Sequence, residues 1–502
     1  MGDDGSWARM APVVLASLCA LAFVAPMLPG RRAPPAEFVV SVSSPEPSWR
    51  ISSVDTLVGS KSEAGFVDGC GSDAKLRSPR GLIQGDDGSF LFADSGNHAI
   101  RRLTLVAMPV RGSATGAYAA CVETIAGGSR HGLVSNTSVP GFSGHFDGLA
   151  EEALFSNPTA LTLIANPTHT HFSSYLVADT GNNVIRRLDE ATGQTPARVE
   201  TVVGNATRAE SRVLDGVGPH AQLEVPSGIV ALNDFGVFVI TDAGAHVVRD
   251  VDLNSYRAHT ALGRSGVDGF ADGAHASARF DTPTMLRIAS SRTSERNGDT
   301  IDLVLVDTGN NAIRRLVYDG QTWESATILG RGADDGFRDG DPTAAAFSSP
   351  ADVAFPRGRS KPTTFTTTTS TSIASFAIAD AGNNLVRYYD ADRGTVSTLA
   401  GTQRVWGAGI SSGEQPTPRG RDRPLRDAVD VSADDLPADD EAASRLSRGF
   451  LDAKDDPTQA RFSNPSSILF TSDGHLIIAD TDNHAIRIAY FAAAAAAADE
   501  AA

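Results

Sequence analysis

A short phrase recurs six times along this chain of 502 residues, at intervals of tens of residues. Internal repetition at this spacing indicates that one supersecondary unit is reused and stacked against its copies. It constrains the fold more strongly than any other feature of the chain. The copies are FADSGNHAIRRL from Phe92, VADTGNNVIRRL from Val177, ITDAGAHVVRDV from Ile240, LVDTGNNAIRRL from Leu305, IADAGNNLVRYY from Ile378 and IADTDNHAIRIA from Ile478.

Each phrase is predicted to form a β-hairpin. The residues before the turn are apolar at consecutive positions, as in residues 303–306, which is typical of a strand covered on both faces. The turn residues Asp, Gly and Asn tolerate a positive φ and hydrogen-bond to their own backbone, which suits a hairpin loop better than a helix start. A second strand containing Ile-Arg or Val-Arg follows the turn.

Two further strands belong to each unit. Upstream of the hairpin stand an Asp-Gly turn, an apolar anchor and a proline, followed by a short strand; downstream lies a strand such as ETIAGG from Glu123. The Asp-Gly turns begin at Asp68, Asp147, Asp215, Asp272, Asp339 and, as Asp-Ala, Asp452; the anchors and prolines are Leu76 and Pro79, Phe155 and Pro158, Leu223 and Pro226, Phe280 and Pro283, Phe347 and Pro350, and Phe462 and Pro465. Six such units predict an all-β fold, a six-bladed β-propeller of four-stranded antiparallel blades.

The two ends of the chain are expected to close the ring. The sixth copy ends after Arg487 without its fourth strand, whereas a matching segment, VDTLVG at residues 54–59, stands ahead of the first copy. We therefore predict that this N-terminal strand completes the last blade, which would remove the exposed sheet edges of an open array.

The phrase ADSGNHAIRR resembles the NHL repeat, which is named for its Asn-His-Leu signature. Asn97-His98 and Asn483-His484 retain the first two letters, and the other four copies replace the His or the pair. The resemblance covers about residues 54–490 and implies a propeller. It also implies a range of functions, because NHL propellers include RNA-binding modules, extracellular sensor domains, protein-interaction scaffolds and relatives of the metal-dependent amidating lyase.

The repeated aspartate and arginine of the hairpin are predicted to be structural. Six copies around a ring indicate a role performed six times, namely turn capping or pairing of the Asp with the following Arg, whereas catalysis is performed once. Where two arginines are adjacent, we expect one to meet a carboxylate and the other to face water. The residues concerned are Asp94, Asp179, Asp242, Asp307, Asp380 and Asp480, with Arg101, Arg186, Arg249, Arg314, Arg387 and Arg487.

A catalytic channel has little support in the sequence. In six-bladed lactonases and the amidating lyase, the resemblance implies metal ligands on the innermost strands. The corresponding strands here, which follow the prolines, contain one carboxylate, Asp352, and no histidine. Calcium prefers six to eight oxygen ligands, so Asp352 is a weak candidate ligand, and we predict no catalytic residue and no cofactor.

We therefore expect a non-catalytic binding or scaffold propeller that presents its loop faces to a protein, peptide or glycan partner. The alternative is a metal-dependent hydrolase or lyase with its site in the central channel. The chain has 43 basic and 60 acidic residues and a net charge of −17, which opposes nucleic-acid binding. The Asp-Gly turns, the hairpin turns and the insertion 402–447 are predicted to share one face of the propeller; this face is rich in Asp and favours a cationic partner.

The N-terminus predicts entry into the secretory pathway. Residues 11–28 are largely apolar and contain Ala20-Leu21-Ala22, which resembles a signal peptidase site, so residues 1–30 are predicted to be a signal peptide or a signal anchor. Removal of this leader would leave Cys70 and Cys121, either as one disulfide or as two thiols. Asn136 and Asn205 begin glycosylation sequons. The protein would then be secreted or membrane-anchored, with no other membrane contact.

The remaining boundaries follow from composition. Residues 31–50 are predicted to be a linker, residues 51–491 the propeller and residues 492–502 an Ala-rich tail. Two insertions, 359–372 and 402–447, are rich in Thr or in Pro, Gly and charged residues. Because they are too polar to offset the entropy of ordering, we expect mobile loops there.

Overall fold

The chain folds into six antiparallel β-sheets that form the blades of a propeller. The structure is a computed structural model, and it describes residues 50–60, 63–108, 117–128, 136–137, 141–164, 173–191, 193, 195–206, 214–292, 300–332, 335–356, 373–402, 451–453 and 456–491. The predictions for the leader, for most of the linker, for the tail and for nearly all of both insertions lie outside these residues.

The first half of the chain supplies the closing strand and three blades. These are β1 (Ile51–Val58); β2 (Phe66–Val67); blade 1, with β3 (Gly69–Cys70), β4 (Pro79–Gln84), β5 (Phe90–Asp94), β6 (Ala99–Met108) and β7 (Ala117–Gly127); β8 (Asn136–Thr137); blade 2, with β9 (Gly148–Leu149), β10 (Pro158–Ile164), β11 (Ser174–Asp179), β12 (Val184–Asp189) and β13 (Arg198–Gly204); and blade 3, with β14 (Gly216–Val217), β15 (Pro226–Leu232), β16 (Val237–Asp242), β17 (Val247–Asp252) and β18 (Arg257–Gly263).

The second half supplies the other three blades. These are blade 4, with β19 (Gly273–Ala274), β20 (Pro283–Arg292), β21 (Thr300–Asp307), β22 (Ala312–Tyr318) and β23 (Trp323–Leu329); blade 5, with β24 (Pro350–Ala354), β25 (Phe376–Asp380), β26 (Leu385–Asp390) and β27 (Thr395–Ala400); and blade 6, with β28 (Pro465–Phe470), β29 (Leu476–Asp480) and β30 (Ala485–Phe491). The predicted six-bladed fold is confirmed.

The clasp is confirmed as well. Strand β1 lies in the sheet of blade 6 beside β30, in the order β1-β30-β29-β28. The antiparallel register runs from Ile51 opposite Phe491 to Val58 opposite Ile486. The first described strand of the chain thus supplies the outer strand that the sixth repeat lacks.

Blades 1 to 4 contain a fifth, two-residue strand that the sequence analysis did not predict. The segment after each Asp-Gly turn pairs with the outer strand of its own blade, as β9 does with β13. In blades 5 and 6 the same contact is a single bridge, Gly340 to Val396 and Ala453 to Val54. The Asp-Gly segment therefore crosses one end of its blade before entering the innermost strand.

The core lies between neighbouring blades. In β5, Phe90 and Phe92 belong to the cluster shared with Ile477 of blade 6, whereas Leu91 belongs to the cluster shared with Val177 of blade 2. All five residues of β5 are buried. The strand is covered on both faces, which is why its apolar residues are consecutive.

Between the two hairpin strands, five of the six blades form one turn of 3-10 helix. The glycine of the phrase is required by a close approach, because a Cβ atom on Gly309 would lie 2.8 Å from the carbonyl oxygen of Asp281. That carbonyl accepts the N–H of Gly309. The contact ties the turn to the segment that precedes the innermost strand.

Candidate functional site

The hairpin aspartate fastens its turn to the rest of the blade. Asp307 accepts the backbone N–H of Asp281 at 2.8 Å with one oxygen, and the side chains of Asn310 and Arg314, each at 2.8 Å, with the other. The carboxylate therefore both caps a turn and binds the following arginine. The equivalent residues Asp94, Asp179, Asp380 and Asp480 make the same three kinds of hydrogen bond.

The repeated arginine lies between two carboxylates. The Arg314 side chain is fully buried and binds Asp307 at 2.8 Å and the Asp-Gly aspartate Asp272 at 2.7 Å. Its guanidinium carbon lies 5.0 Å from the ring centres of Phe270 and Phe280. The second pair recurs as Arg101–Asp68, Arg186–Asp147, Arg249–Asp215, Arg387–Asp339 and Arg487–Asp452.

These ion pairs place both kinds of turn at the same end of the blade. We call this end, formed by the Asp-Gly turns and the hairpin turns, the turn face. The sequence analysis did not assign the Asp-Gly aspartates as partners of the arginines. Their recurrence at one place ahead of every proline was the available signal, but only the folded blade shows which side chain they contact.

Burial perturbs the hairpin carboxyls. Desolvation raises the pKa of Asp307 to about 6, and Arg314 and Asn310 oppose this only in part. The pKa of Asp242 is raised further, to about 7. In that copy Ala245 occupies the position of the asparagine, so the carboxylate lacks one donor, and its contact with Arg249 is 3.3 Å.

The second arginine of each adjacent pair differs from expectation. Arg102, Arg187 and Arg315 are only 20%, 27% and 18% exposed, and each binds a carboxylate. Arg315, for example, binds Asp302 on the neighbouring strand at 2.8 Å. These side chains cover the outer part of the blade and form ion pairs there, instead of facing water as the sequence analysis expected.

A ring of hydrogen bonds joins the blades at the turn face. The residue after the hairpin turn has a positive φ, and its side chain accepts the backbone N–H of a residue before the proline of the next blade, which also has a positive φ. All six junctions have this bond, at 2.7 to 3.1 Å. The acceptor–donor pairs are His98–Asn157, Asn183–Val225, His246–Thr282, Asn311–Ser349, Asn384–Asn464 and His484–Ser78.

In the central channel, the candidate metal ligand Asp352 forms an ion pair. Asp352 on β24 is fully buried and binds Arg287 of β20 through both oxygens, at 2.9 and 2.5 Å. It also accepts the hydroxyl of Ser467 at 2.8 Å. Arg287 reaches the carbonyl oxygen of Leu82 on β4 at 3.3 Å. The cluster therefore links the innermost strands of blades 4, 5, 6 and 1.

The contacts of Arg287 and Ser467 with Asp352 were not predicted from the sequence. The three residues lie in different short strands, and only closure of the ring brings their side chains together. A carboxylate that binds a guanidinium through both oxygens has little capacity left for a metal ion. In the part of the chain that the structure describes, no group of three or more His, Cys, Asp or Glu side chains could hold a metal. The described residues that line this channel therefore do not fit a catalytic metal.

Exposed apolar side chains stand at the turn face. They lie in the segments that lead to the Asp-Gly turns of blades 2, 3, 4 and 6, immediately or two residues before the aspartate. Their exposed fractions are 51% for Phe146, 44% for Leu214, 40% for Phe270 and 43% for Leu451, and Phe142, close to Phe146 in sequence, is 56% exposed. The neighbouring aspartates are partly exposed too, from 36% for Asp68 to 49% for Asp272.

The cysteines and sequons belong to the outer part of the ring. Cys70 on β3 and Cys121 on β7 are opposite each other and form a disulfide. Asn136 begins β8, which pairs with β2, and therefore does not lie in an irregular loop. Asn205 follows β13 and is partly exposed.

Within the described residues, no helix has the length and apolarity needed to cross a membrane.

Residues 462–489 match the family model described as the NHL repeat. The protein is a six-bladed β-propeller that carries an NHL repeat. The matched NHL segment includes the anchor Phe462, the turn aspartate Asp480 and the buried Arg487, which are residues of the repeated framework. The predicted resemblance to the NHL repeat is thereby confirmed in the sixth copy of the phrase.

Known proteins resemble this NHL propeller over different lengths. Protein SUPPRESSOR OF QUENCHING 1, chloroplastic, of Arabidopsis thaliana is 27% identical over 296 residues, which cover 52% of this chain and 27% of that protein. The match thus spans about a quarter of the relative's length. A Bacteroides thetaiotaomicron protein of unknown function and an auxiliary nutrient binding protein of the same species are each 14% identical, with TM-scores of 0.51; they match 88% of this chain and 76% and 77% of their own chains. These two structures support the fold alone.

Proposed function

We propose that this protein is a non-catalytic binding propeller whose turn face holds a protein or peptide partner with apolar and basic side chains. The observation that carries the proposal is the set of exposed apolar residues that stand one or two positions before the Asp-Gly aspartate on the turn face of four blades. Large side chains exposed at one end of a rigid ring are typical of interaction surfaces, since aromatic residues supply much of the affinity at such sites.

Charge supports the basic character of the partner. Each repeated Arg lies between two aspartates, so a fully ionised cluster of these three side chains carries one excess negative charge, and one of the two aspartates is partly exposed. The whole chain carries a net charge of −17. A basic partner would therefore be attracted to the face on which the apolar residues stand.

The alternative, a channel hydrolase or lyase, relied on Asp352 as a ligand. That carboxylate already binds Arg287, Ser467 and the N–H of Ile468. An enzyme of this kind would need the ion pair to break before the channel could bind a metal. The ion pair therefore favours the binding role.

The binding proposal can be tested with a designed peptide of alternating Lys and Leu, immobilised for surface plasmon resonance, and its Glu-for-Lys counterpart. We expect the wild-type protein to bind the Lys peptide and not the Glu peptide. Phe142→Ser with Phe146→Ser should weaken binding about tenfold, which is the effect expected when exposed aromatic anchors are lost. Val106→Ser is the matched control, because Val106 is 52% exposed near the opposite end of its blade.

Equal binding of the Lys peptide to wild type and to the double Ser variant would contradict the proposed face. Binding of both peptides with similar affinity would contradict the charge preference. A weakened Val106→Ser variant would place the surface at the other end of the blade.

We also propose that the protein works in the secretory pathway, either secreted or anchored by its N-terminal apolar segment. The Cys70–Cys121 disulfide and the two sequons support this, since disulfides persist in oxidising compartments. Expression of the full chain in a secretory host should give a product whose mobility shifts after removal of N-glycans. A chloroplast destination, as in the name of the Arabidopsis relative, would be indicated instead by import into isolated chloroplasts.

A further inference from the structure

Blade 1 is joined to both of its neighbours through histidine acceptors. His484 of blade 6 accepts the N–H of Ser78, and His98 of blade 1 accepts the N–H of Asn157 in blade 2, both at Nδ1 and 3.1 Å. Three of the other four junctions use an asparagine oxygen at the same position. An amide oxygen accepts a hydrogen bond at any pH, whereas Nδ1 accepts only while the imidazole is neutral.

The charges around the three histidines differ. Arg77 of blade 1 faces both His98 and His484; burial and this cation lower the pKa of each ring, and for His484 Asp482 of its own turn opposes them in part. His246, at the junction of blades 3 and 4, instead has the Asp281 carboxylate 3.5 Å from Nδ1. A carboxylate therefore lies beside His246, whereas a cation lies beside His98 and His484.

We propose that blade 1 is acid-sensitive. When His98 and His484 each take up a proton from solvent at Nδ1, the N–H groups of Asn157 and Ser78 lose their acceptors, and the turn face of blade 1 separates from blades 6 and 2. The junction of blades 3 and 4 stays closed because of Asp281, and the asparagine junctions do not titrate. The ring thus has one blade that loosens in acid at the face proposed to bind the partner.

The direction of the effect follows from the histidine pKa values. Because the folded-state pKa lies below the value of about 6.5 for a free histidine, the stability contributed by each bond is fully present above that pH. It is lost as the pH falls from there through the folded-state pKa. Loosening is therefore expected in mildly acidic solution.

Other contacts keep the change local. The hydroxyl of Thr481 binds the carbonyl oxygen of Pro79 at 2.9 Å, and the N–H of Leu82 binds Ser467 at 2.9 Å, so blades 6 and 1 remain joined nearer the axis. The Cys70–Cys121 disulfide lies within the blade and does not depend on the histidines. We expect faster opening of blade 1 and no global unfolding.

Hydrogen exchange of the full chain at pH 7.5 and 5.5, corrected for the intrinsic effect of pH, tests this proposal. Protection of peptides from blade 1, residues 79–108, should fall about tenfold more than that of blade 4 peptides from residues 283–292 and 300–307, which is the loss expected when two hydrogen bonds at one face of a blade are broken. The hairpin carboxyls, whose pKa values are raised by burial, respond to acid with the opposite sign, and both blades of the comparison contain one.

Asparagine variants identify the groups responsible. His98→Asn with His484→Asn should remove the extra acid sensitivity of blade 1, because asparagine is the side chain that three other junctions use and the fold should be retained. His246→Asn, the matched control, should leave that sensitivity unchanged. The proposal is wrong if blade 1 of the double variant still loosens as wild type does, or if blades 1 and 4 of the wild type respond equally to acid.

Discussion

At the scale of single residues, the repeated phrase is explained by one buried cation and the groups that surround it. A charge is tolerated in a protein interior only when it is paired and hydrogen-bonded. Arginine suits this position because its planar guanidinium can bind two carboxylates and stack on an aromatic ring, as Arg314 does with Asp307, Asp272 and Phe280. The aspartate of the phrase binds this guanidinium, and the asparagine donates to that aspartate, as Asn310 does to Asp307.

The two aspartates of this cluster should contribute unequally to stability. Asp307→Ala removes the fully buried partner of Arg314 and should lower the free energy of unfolding by about 3–5 kcal/mol, the range for breaking a buried ion pair. Asp272→Ala removes the partner that is 49% exposed and should cost about 1 kcal/mol. Urea denaturation of both variants measures the difference. Equal losses would show that burial does not determine the role of the pair.

At the scale of elements, neighbouring blades are held by bonds that repeat at fixed places. The hydroxyl of the turn residue Thr308 donates to the carbonyl oxygen of Pro350 in the next blade at 2.8 Å, and Thr180 does the same to Pro226 at 2.6 Å. At four of the six junctions, the proline that begins the innermost strand therefore presents an acceptor to the preceding blade, whereas the turn residues Ala243 and Ala381 have no hydroxyl to donate. Strand β1 completes the pattern, because it places the outer strand of blade 6 ahead of blade 1.

Removal of β1 should destabilise the ring strongly. Deletion of residues 1–60 exposes blade 6 along β30 and removes the buried side chains of Ile51, Val54, Leu57 and Val58, each worth about 1.5–3 kcal/mol. The entropy of ordering the strand offsets part of this loss. Melting of the truncated protein should occur well below that of the chain lacking only residues 1–49, which keeps β1. If the two truncations melt at the same temperature, the clasp does not stabilise the protein.

At the scale of the whole molecule, the turn face and the central channel have different roles. The turn face has exposed apolar and acidic side chains, whereas the channel is bridged by the ion pair between Arg287 and Asp352, which connects four blades through Ser467 and Leu82. We expect this ion pair inside the channel to stabilise the closed ring instead of forming part of a ligand-binding site.

This bridge can be tested by a double-mutant cycle. Asp352→Ala should lower the free energy of unfolding by about 3 kcal/mol, because Arg287 is only 17% exposed and loses its carboxylate. Arg287→Leu combined with Asp352→Ala should cost less than the sum of the single changes. Metal analysis of the same proteins separates the two functions: a stoichiometric calcium or zinc present in wild type and absent from Asp352→Ala would support the channel enzyme.

The sequence by itself determined the repeat, and through it the blade number, the strand order and the clasp. This was possible because those features depend on local apolar patterns and turn residues that recur in register, such as Asp307 with Arg314, and because the outer strand missing from the sixth copy is present ahead of the first. Tertiary structure alone decided which side chains meet around the ring. Arg287 and Asp352, or His484 and Ser78, lie far apart in the chain and become neighbours only when six blades close, so no local pattern could specify their contact.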